Sequence, residues 1–180
     1  MRNVIMLMAT LVLAGCFSSR APLFEEARGR CPFAVPTHFV ELGEAGAPPM
    51  RVTFSTEGGY CRFTKEDGET ERALFVPIGR NWWIVQGDEE RPSYLLVLRS
   101  GRRLIQYLPR CADFSTRRLD RLGVAYDEAQ RYCTADDPRQ IETLFRAWRS
   151  PFRQASGGFR QVDDVSSAPA SSSSTAGMAY

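Results

Sequence analysis

Between Met50 and Leu108 the chain holds six short apolar runs, joined by connections too short for a helical crossover. Parallel neighbours need a dozen or more connecting residues, so runs joined this tightly are expected to pair antiparallel. Met50, Val52 and Phe54 alternate with Arg51, Thr53 and Ser55, the pattern of a half-buried strand. Tyr60 to Thr64 and Ala73 to Val76 flank an Asp67-Gly68 turn and read as a hairpin with a slightly long loop. Trp82 to Gln86 and Tyr94 to Arg99 flank a polar GDEERPS segment, and Ser100-Gly101 turns the chain into Arg103 to Leu108. The pattern predicts a β-meander of about six strands, either an open sheet or one curled toward a small barrel.

The last third turns helical. Phe114, Leu119 and Leu122 share one face of a short segment that Ser115 starts. Further on, Asp137, Pro138 and Gln140 stand as N-cap, N1 proline and capping-box partner. The helix behind them carries Ile141, Leu144, Phe145 and Trp148 in a single apolar stripe, which must pack on something. The sheet is the obvious partner. The predicted class is therefore α+β, an antiparallel sheet covered by one or two C-terminal helices. A length of 180 residues suits one such domain.

The N-terminus reads MRNVIMLMATLVLAGC. Arg2 precedes an apolar run from Val4 to Ala14, about 16 Å as a helix and about half of a bilayer's hydrocarbon core. The run suits an export signal and not a spanning helix. Its end, Leu13-Ala14-Gly15-Cys16, resembles the lipobox of bacterial lipoproteins. The resemblance covers these 16 residues only. It implies cleavage before Cys16 and acylation of that cysteine, and two or three acyl chains anchor a protein stably. By analogy with the family, an Asp after the cysteine favours the inner membrane; Phe17 and Ser18 stand there instead, which favours the outer membrane, facing the periplasm. The expected organisation is a signal peptide over 1–15, a lipidated tether over 16–30 and a globular domain over 31–152. A disordered Ser/Ala-rich tail follows over 153–180, for its composition cannot bury enough surface to offset ordering.

With Cys16 acylated, four of five cysteines remain, Cys31, Cys61, Cys111 and Cys133. In an oxidising compartment an even number reads as two disulfides. Three connectivities exist. The sequential one, Cys31–Cys61 and Cys111–Cys133, keeps each bond within one half of the chain and is preferred. Each loop, of about 31 and 23 residues, would stabilise by roughly 3.5 kcal/mol in the chain-entropy account. Without a C-x-x-C, and with His38 the lone histidine, no metal site and no cofactor are expected.

Catalytic motifs are missing from the sequence: it has no nucleophile elbow, zincin helix, Walker loop or dinucleotide fingerprint. Carboxylates cluster at Asp88-Glu89-Glu90, in a loop, and at Asp136-Asp137, where a helix needs a cap. Two other features could bind a partner. Adjacent Trp82 and Trp83 point to opposite faces of a strand, so either both faces are covered or one indole is exposed to stack on a sugar or a protein. Arg99, Arg102, Arg103, Arg110, Arg117, Arg118 and Arg121 face only Asp113 and Asp120, a local charge of +5 that suits an anionic glycan or lipid headgroup. The stretch from Glu41 to Glu90 is −5 by the same count, and the two regions could instead pair across the fold. The whole chain is only +2, with 23 basic and 21 acidic residues, which argues against nucleic acid.

The expectation is a non-enzymatic, lipid-anchored envelope module that binds another envelope component, foremost a protein. One alternative is an inhibitor of an envelope-attacking hydrolase, in the manner of lysozyme inhibitors. The other is a glycan or peptide hydrolase using carboxylates in a surface cleft.

Overall fold

The computed structural model describes residues 17–33, 36–41, 51–129, 131–150 and 153–162. The signal segment, Cys16, Met50 and the Ser-rich stretch 163–180 lie outside them. In chain order the elements are β1 (Phe17–Ser18), β2 (Thr37–Glu41), β3 (Arg51–Glu57), β4 (Tyr60–Lys65), β5 (Thr70–Gly79), β6 (Trp82–Gly87), β7 (Tyr94–Ser100) and β8 (Arg103–Tyr107). Then come α1 (Thr116–Leu122), β9 (Ala125–Asp127), β10 (Tyr132–Thr134), α2 (Pro138–Trp148) and β11 (Gly157–Val162). Strands β2 to β8 form an antiparallel meander, and β11 closes it into an eight-stranded barrel by pairing with both β8 and β2. A second sheet, β1-β10-β9, sits with the two helices.

Sequence makes this barrel two-sided. Along β5 to β8 alternate residues enter the barrel (Ala73, Phe75, Trp83, Val85, Leu95, Val97, Leu104), where they meet Phe39, Phe54 and Phe159. The intervening residues (Leu74, Val76, Ile84, Tyr94, Leu96, Tyr107) point outward under α2 and the small sheet, against Ile141, Leu144, Phe145 and Trp148. Two covered faces explain why these strands read as near-continuous apolar runs. The two indoles divide accordingly. Trp83 lies inside, and Trp82 packs outside with its ring 5.4 Å from that of Tyr107.

Local signals at α2 act as expected. The Asp137 carboxylate accepts the Arg139 amide at 2.7 Å, and Gln140 reaches back to the Asp137 amide at 3.1 Å. α1 ends at Gly123, whose φ of 71° suits a residue without a Cβ. Both disulfides take the sequential pairing, Cys31–Cys61 and Cys111–Cys133, with Cα separations of 5.4 and 5.8 Å.

Two expectations are corrected. Residues 17–30 do not form a tether. Phe17 is fully buried, edge-on to Phe114 at 5.6 Å and to Phe145 at 5.4 Å, and Ser18 pairs in β1 with Thr134. The buried Gln86 amide accepts from the Leu23 and Phe24 amides, both at 3.0 Å, and donates to the Phe24 carbonyl at 3.2 Å. The Tyr94 and Ser19 hydroxyls bond at 2.6 Å, and Glu26 accepts the Gly59 amide at 3.0 Å. These are long-range contacts, invisible to a periodicity reading. The second correction concerns 153–162, expected as tail, where β11 supplies the closing strand.

Candidate functional site: the acidic end of the barrel

The two ends of the barrel differ. One is corked by Pro32 and Phe33, which the Cys31–Cys61 bridge holds against the inner core. The Phe33 ring lies 4.6 Å from that of Phe39 and 5.7 Å from that of Phe54. Arg99 fastens the cork from above, donating to the Pro32 carbonyl at 2.5 Å with its guanidinium 5.3 Å over the Phe33 ring.

Among the described residues the opposite end is formed by the β4–β5 hairpin, the β6–β7 loop and the start of β11, since antiparallel strands bring these turns to one side. Behind it lies a cavity of about 40 Å³, walled mainly by Phe63, Phe75, Val85, Leu95 and Phe159, with Lys65, Glu71 and Gln106 on its lining. A volume of this size holds a water or two, or the tip of one inserted side chain. Lys65 follows Cys61 and Phe63 at period two on the inner face of β4, and its side chain is only 4% exposed. Its ammonium donates to Glu69 at 2.6 Å and to Glu71 at 2.8 Å. Burial alone pulls this ammonium down, but the two carboxylates more than offset it and hold it above its ordinary 10.5. Among the described residues Lys65 is the only buried charged side chain, and it is the only lysine among 23 basic residues. A compact ammonium on a flexible stem suits such a spot better than a planar guanidinium fork.

The rim at this end is acidic. The segments 65–72 and 87–93 hold seven carboxylates, Glu66, Asp67, Glu69, Glu71, Asp88, Glu89 and Glu90, against Lys65, Arg72 and Arg91. Arg72 spans the two segments by its bond to Asp88, and Glu66 lies 3.6 Å from Arg51. Glu57, Glu66, Glu69, Glu71 and Asp88 thus draw cations from the 41–90 stretch itself.

Sequence candidates fare unevenly. Trp83 is packed inside, while Trp82 packs against Tyr107 and keeps part of its surface exposed. The arginine set does not form one patch. Arg99, Arg102 and Arg103 lie around the β7–β8 turn at the corked end, while Arg110, Arg117, Arg118 and Arg121 follow β8 beyond the other end, around α1. Arg99 is committed to the cork, and Arg110 lies 3.7 Å from Asp113. Asp88 binds Arg72, Asp137 caps α2, and His38 meets Thr53 at 3.1 Å across the β2–β3 pair. The Lys65–Glu69–Glu71 cluster was missed because charges in a hairpin read as solvated. The signal that marks it is phase, for position 65 belongs to the same face as 61 and 63.

Tyr94 and Lys65 contribute to the pH response, beside Tyr107, whose phenol burial also raises. Burial, only partly countered by the bonds to Ser19 and Leu23, pushes the Tyr94 phenol up to about 12. All three groups hold their proton more tightly folded than unfolded, so their stabilisation is complete below about pH 10 and is lost as pH rises through the folded values. Urea midpoints are expected to fall between about pH 10 and 12, and Tyr94→Phe to make that fall shallower. A midpoint indifferent to pH over that range would contradict the assignment.

The fold is a closed eight-stranded antiparallel barrel; among the described residues one end is corked and the other carries an acidic rim before a small apolar cavity. No family model matches the chain, and neither a curated protein nor a solved structure shows significant similarity to it.

Proposed function

We propose that this chain is a lipid-anchored protein of the bacterial cell envelope, acylated at Cys16, whose barrel binds a cationic segment of another envelope protein at the end opposite the cork. It is a binding module and not an enzyme. The observation that supports the binding mode is the pairing of an apolar cavity with an acidic rim at one end, the other end being corked. A basic partner chain would lay its Arg or Lys residues against Asp67, Glu89 and Glu90 and insert one apolar side chain toward Phe63 and Phe159. Charge complementarity would steer the encounter, and the inserted side chain would act as its anchor. Periplasmic exposure on the outer membrane follows from Phe17 and Ser18 at the lipobox exit. The cleavage position agrees with the fold, since the first residue after Cys16 is already part of the core.

The test is photo-crosslinking in cells from probes at Asp67 and Glu89, with a probe at Arg103 on the corked side as control. A discrete protein adduct from the rim probes, absent from the control and reduced at least fivefold by D67K/E90K, is expected. Adducts with glycan or lipid only, or identical patterns from all three probes, would defeat the binding mode. The same rim would also seat a cationic murein hydrolase, so inhibition of such an enzyme is the second reading. Purified protein that leaves a panel of these hydrolases at full activity would dispose of it.

A further inference from the structure

Acylation at Cys16 imposes a geometric condition that the fold answers. We infer that the α1 side of the domain lies on the membrane, with Arg117, Arg118 and Arg121 on the phosphates of anionic lipid headgroups. The inference rests on the acylation reading above. One trans peptide sets the Cα of Cys16 about 3.8 Å from that of Phe17. Phe17 is fully buried, so no slack chain separates the anchor from the core. Its ring meets that of Phe114 at 5.6 Å, and Phe114 is the residue before Ser115, the N-cap of α1. Phe17, the residue after the anchor, therefore packs beside the start of α1.

α1 turns Leu119 into the core and leaves Arg117, Arg118 and Arg121 exposed. The three line a groove with Ser115, Leu122 and Thr143 of α2. Positions 117 and 121 stack one helical turn apart and 118 flanks them, so the cations form one cluster. Among the described residues none of the three has a carboxylate within ion-pair distance. Several arginines elsewhere are committed: Arg28 to Glu142, Arg72 to Asp88, Arg99 to the Pro32 carbonyl, and Arg146 and Arg149 to the Ile78 carbonyl. A guanidinium binds phosphate oxygens in a bidentate fork, and each basic side chain at an anionic surface strengthens attachment about fivefold. The acyl chains would hold the cluster at the surface, and the cluster would fix which side of the barrel faces it.

The experiment uses acylated protein purified from membranes, in neutral detergent micelles and in vesicles one-third phosphatidylglycerol. Phenylglyoxal modifies exposed arginines, and peptide mass spectrometry reads each site. Arg117, Arg118 and Arg121 are expected to react at least fivefold more slowly in the vesicles, while Arg51 and Arg62 on β3 and β4 keep their rates. Equal rates in both media would overturn the inference. So would equal protection in micelles by inorganic phosphate, which would make the cluster an ion site and not a membrane face. The same digest reports the Cys16 peptide. If it carries no acyl groups the anchor reading itself falls, whereas an acylated peptide with unprotected arginines defeats only the orientation.

Discussion

A chain ending at Ser156 is expected not to fold, whereas one ending at Val162 should match the full chain to within about 0.5 kcal/mol. The difference is six residues, Gly157–Val162. They pair with β8 on one side, Phe159 opposite Leu104, and with β2 on the other, Gln161 opposite Phe39. Without them the barrel has two raw edges, and the inner core of Phe39, Phe54, Phe75 and Trp83 loses its last wall. Phe159 itself is 3% exposed, and losing that side chain alone would cost about 3–5 kcal/mol. Close approach adds to the constraint at Gly158, where a Cβ would stand 2.3 Å from the Leu104 carbonyl oxygen. Circular dichroism with urea titration decides the matter. A cooperative transition in the Ser156 chain would mean that the barrel closes without β11.

The second large effect is expected at Lys65. Lys65→Met leaves Glu71 at the cavity without its cation, and removing one partner of a buried pair costs about 3–5 kcal/mol. Glu69 and Glu71 are 48% and 31% exposed, so water screens part of the loss and a smaller cost, about 2–3 kcal/mol, is expected. The double variant Lys65→Met, Glu71→Leu should recover most of it, because an apolar replacement of a buried pair is often neutral or better. Denaturant midpoints of the two variants give the comparison. Recovery to wild-type stability combined with loss of the rim crosslink would place the cluster in binding and not in folding. A single variant as stable as the wild type would show that the ammonium contributes nothing to the acidic end.

Much of this molecule is written locally in its sequence. The runs at Tyr60, Ala73, Trp82 and Tyr94 became β4 to β7, and the Asp137-Pro138-Gln140 signature became the start of α2 with its reciprocal cap. The tandem Trp82-Trp83 already stated that both faces of one strand would be covered or one indole exposed, and the barrel took the first course. What failed is what depends on distant partners. GGFRQV has one inward aromatic and a final valine among glycines and polar residues, so β11 is a strand only because β8 and β2 stand ready on either side. The first residues after Cys16 likewise look patternless, yet Gln86 and Tyr94, more than 60 positions away, bind their backbone and side chains. The arginine-rich stretch misled in another way, because β8 runs the length of the barrel between Arg103 and Arg110 and splits a sequence cluster into two places in space. The lone lysine was legible in principle from its phase with Cys61 and Phe63.

The most direct test of the account is the intact mass of the protein purified from membranes of expressing cells. A barrel anchored without a tether at Cys16 predicts a chain of residues 16–180 that carries a diacylglyceryl group, with or without a third acyl chain, and four hydrogens fewer for its two disulfides. A chain that retains residues 1–15, or one cut elsewhere and free of lipid, would contradict it.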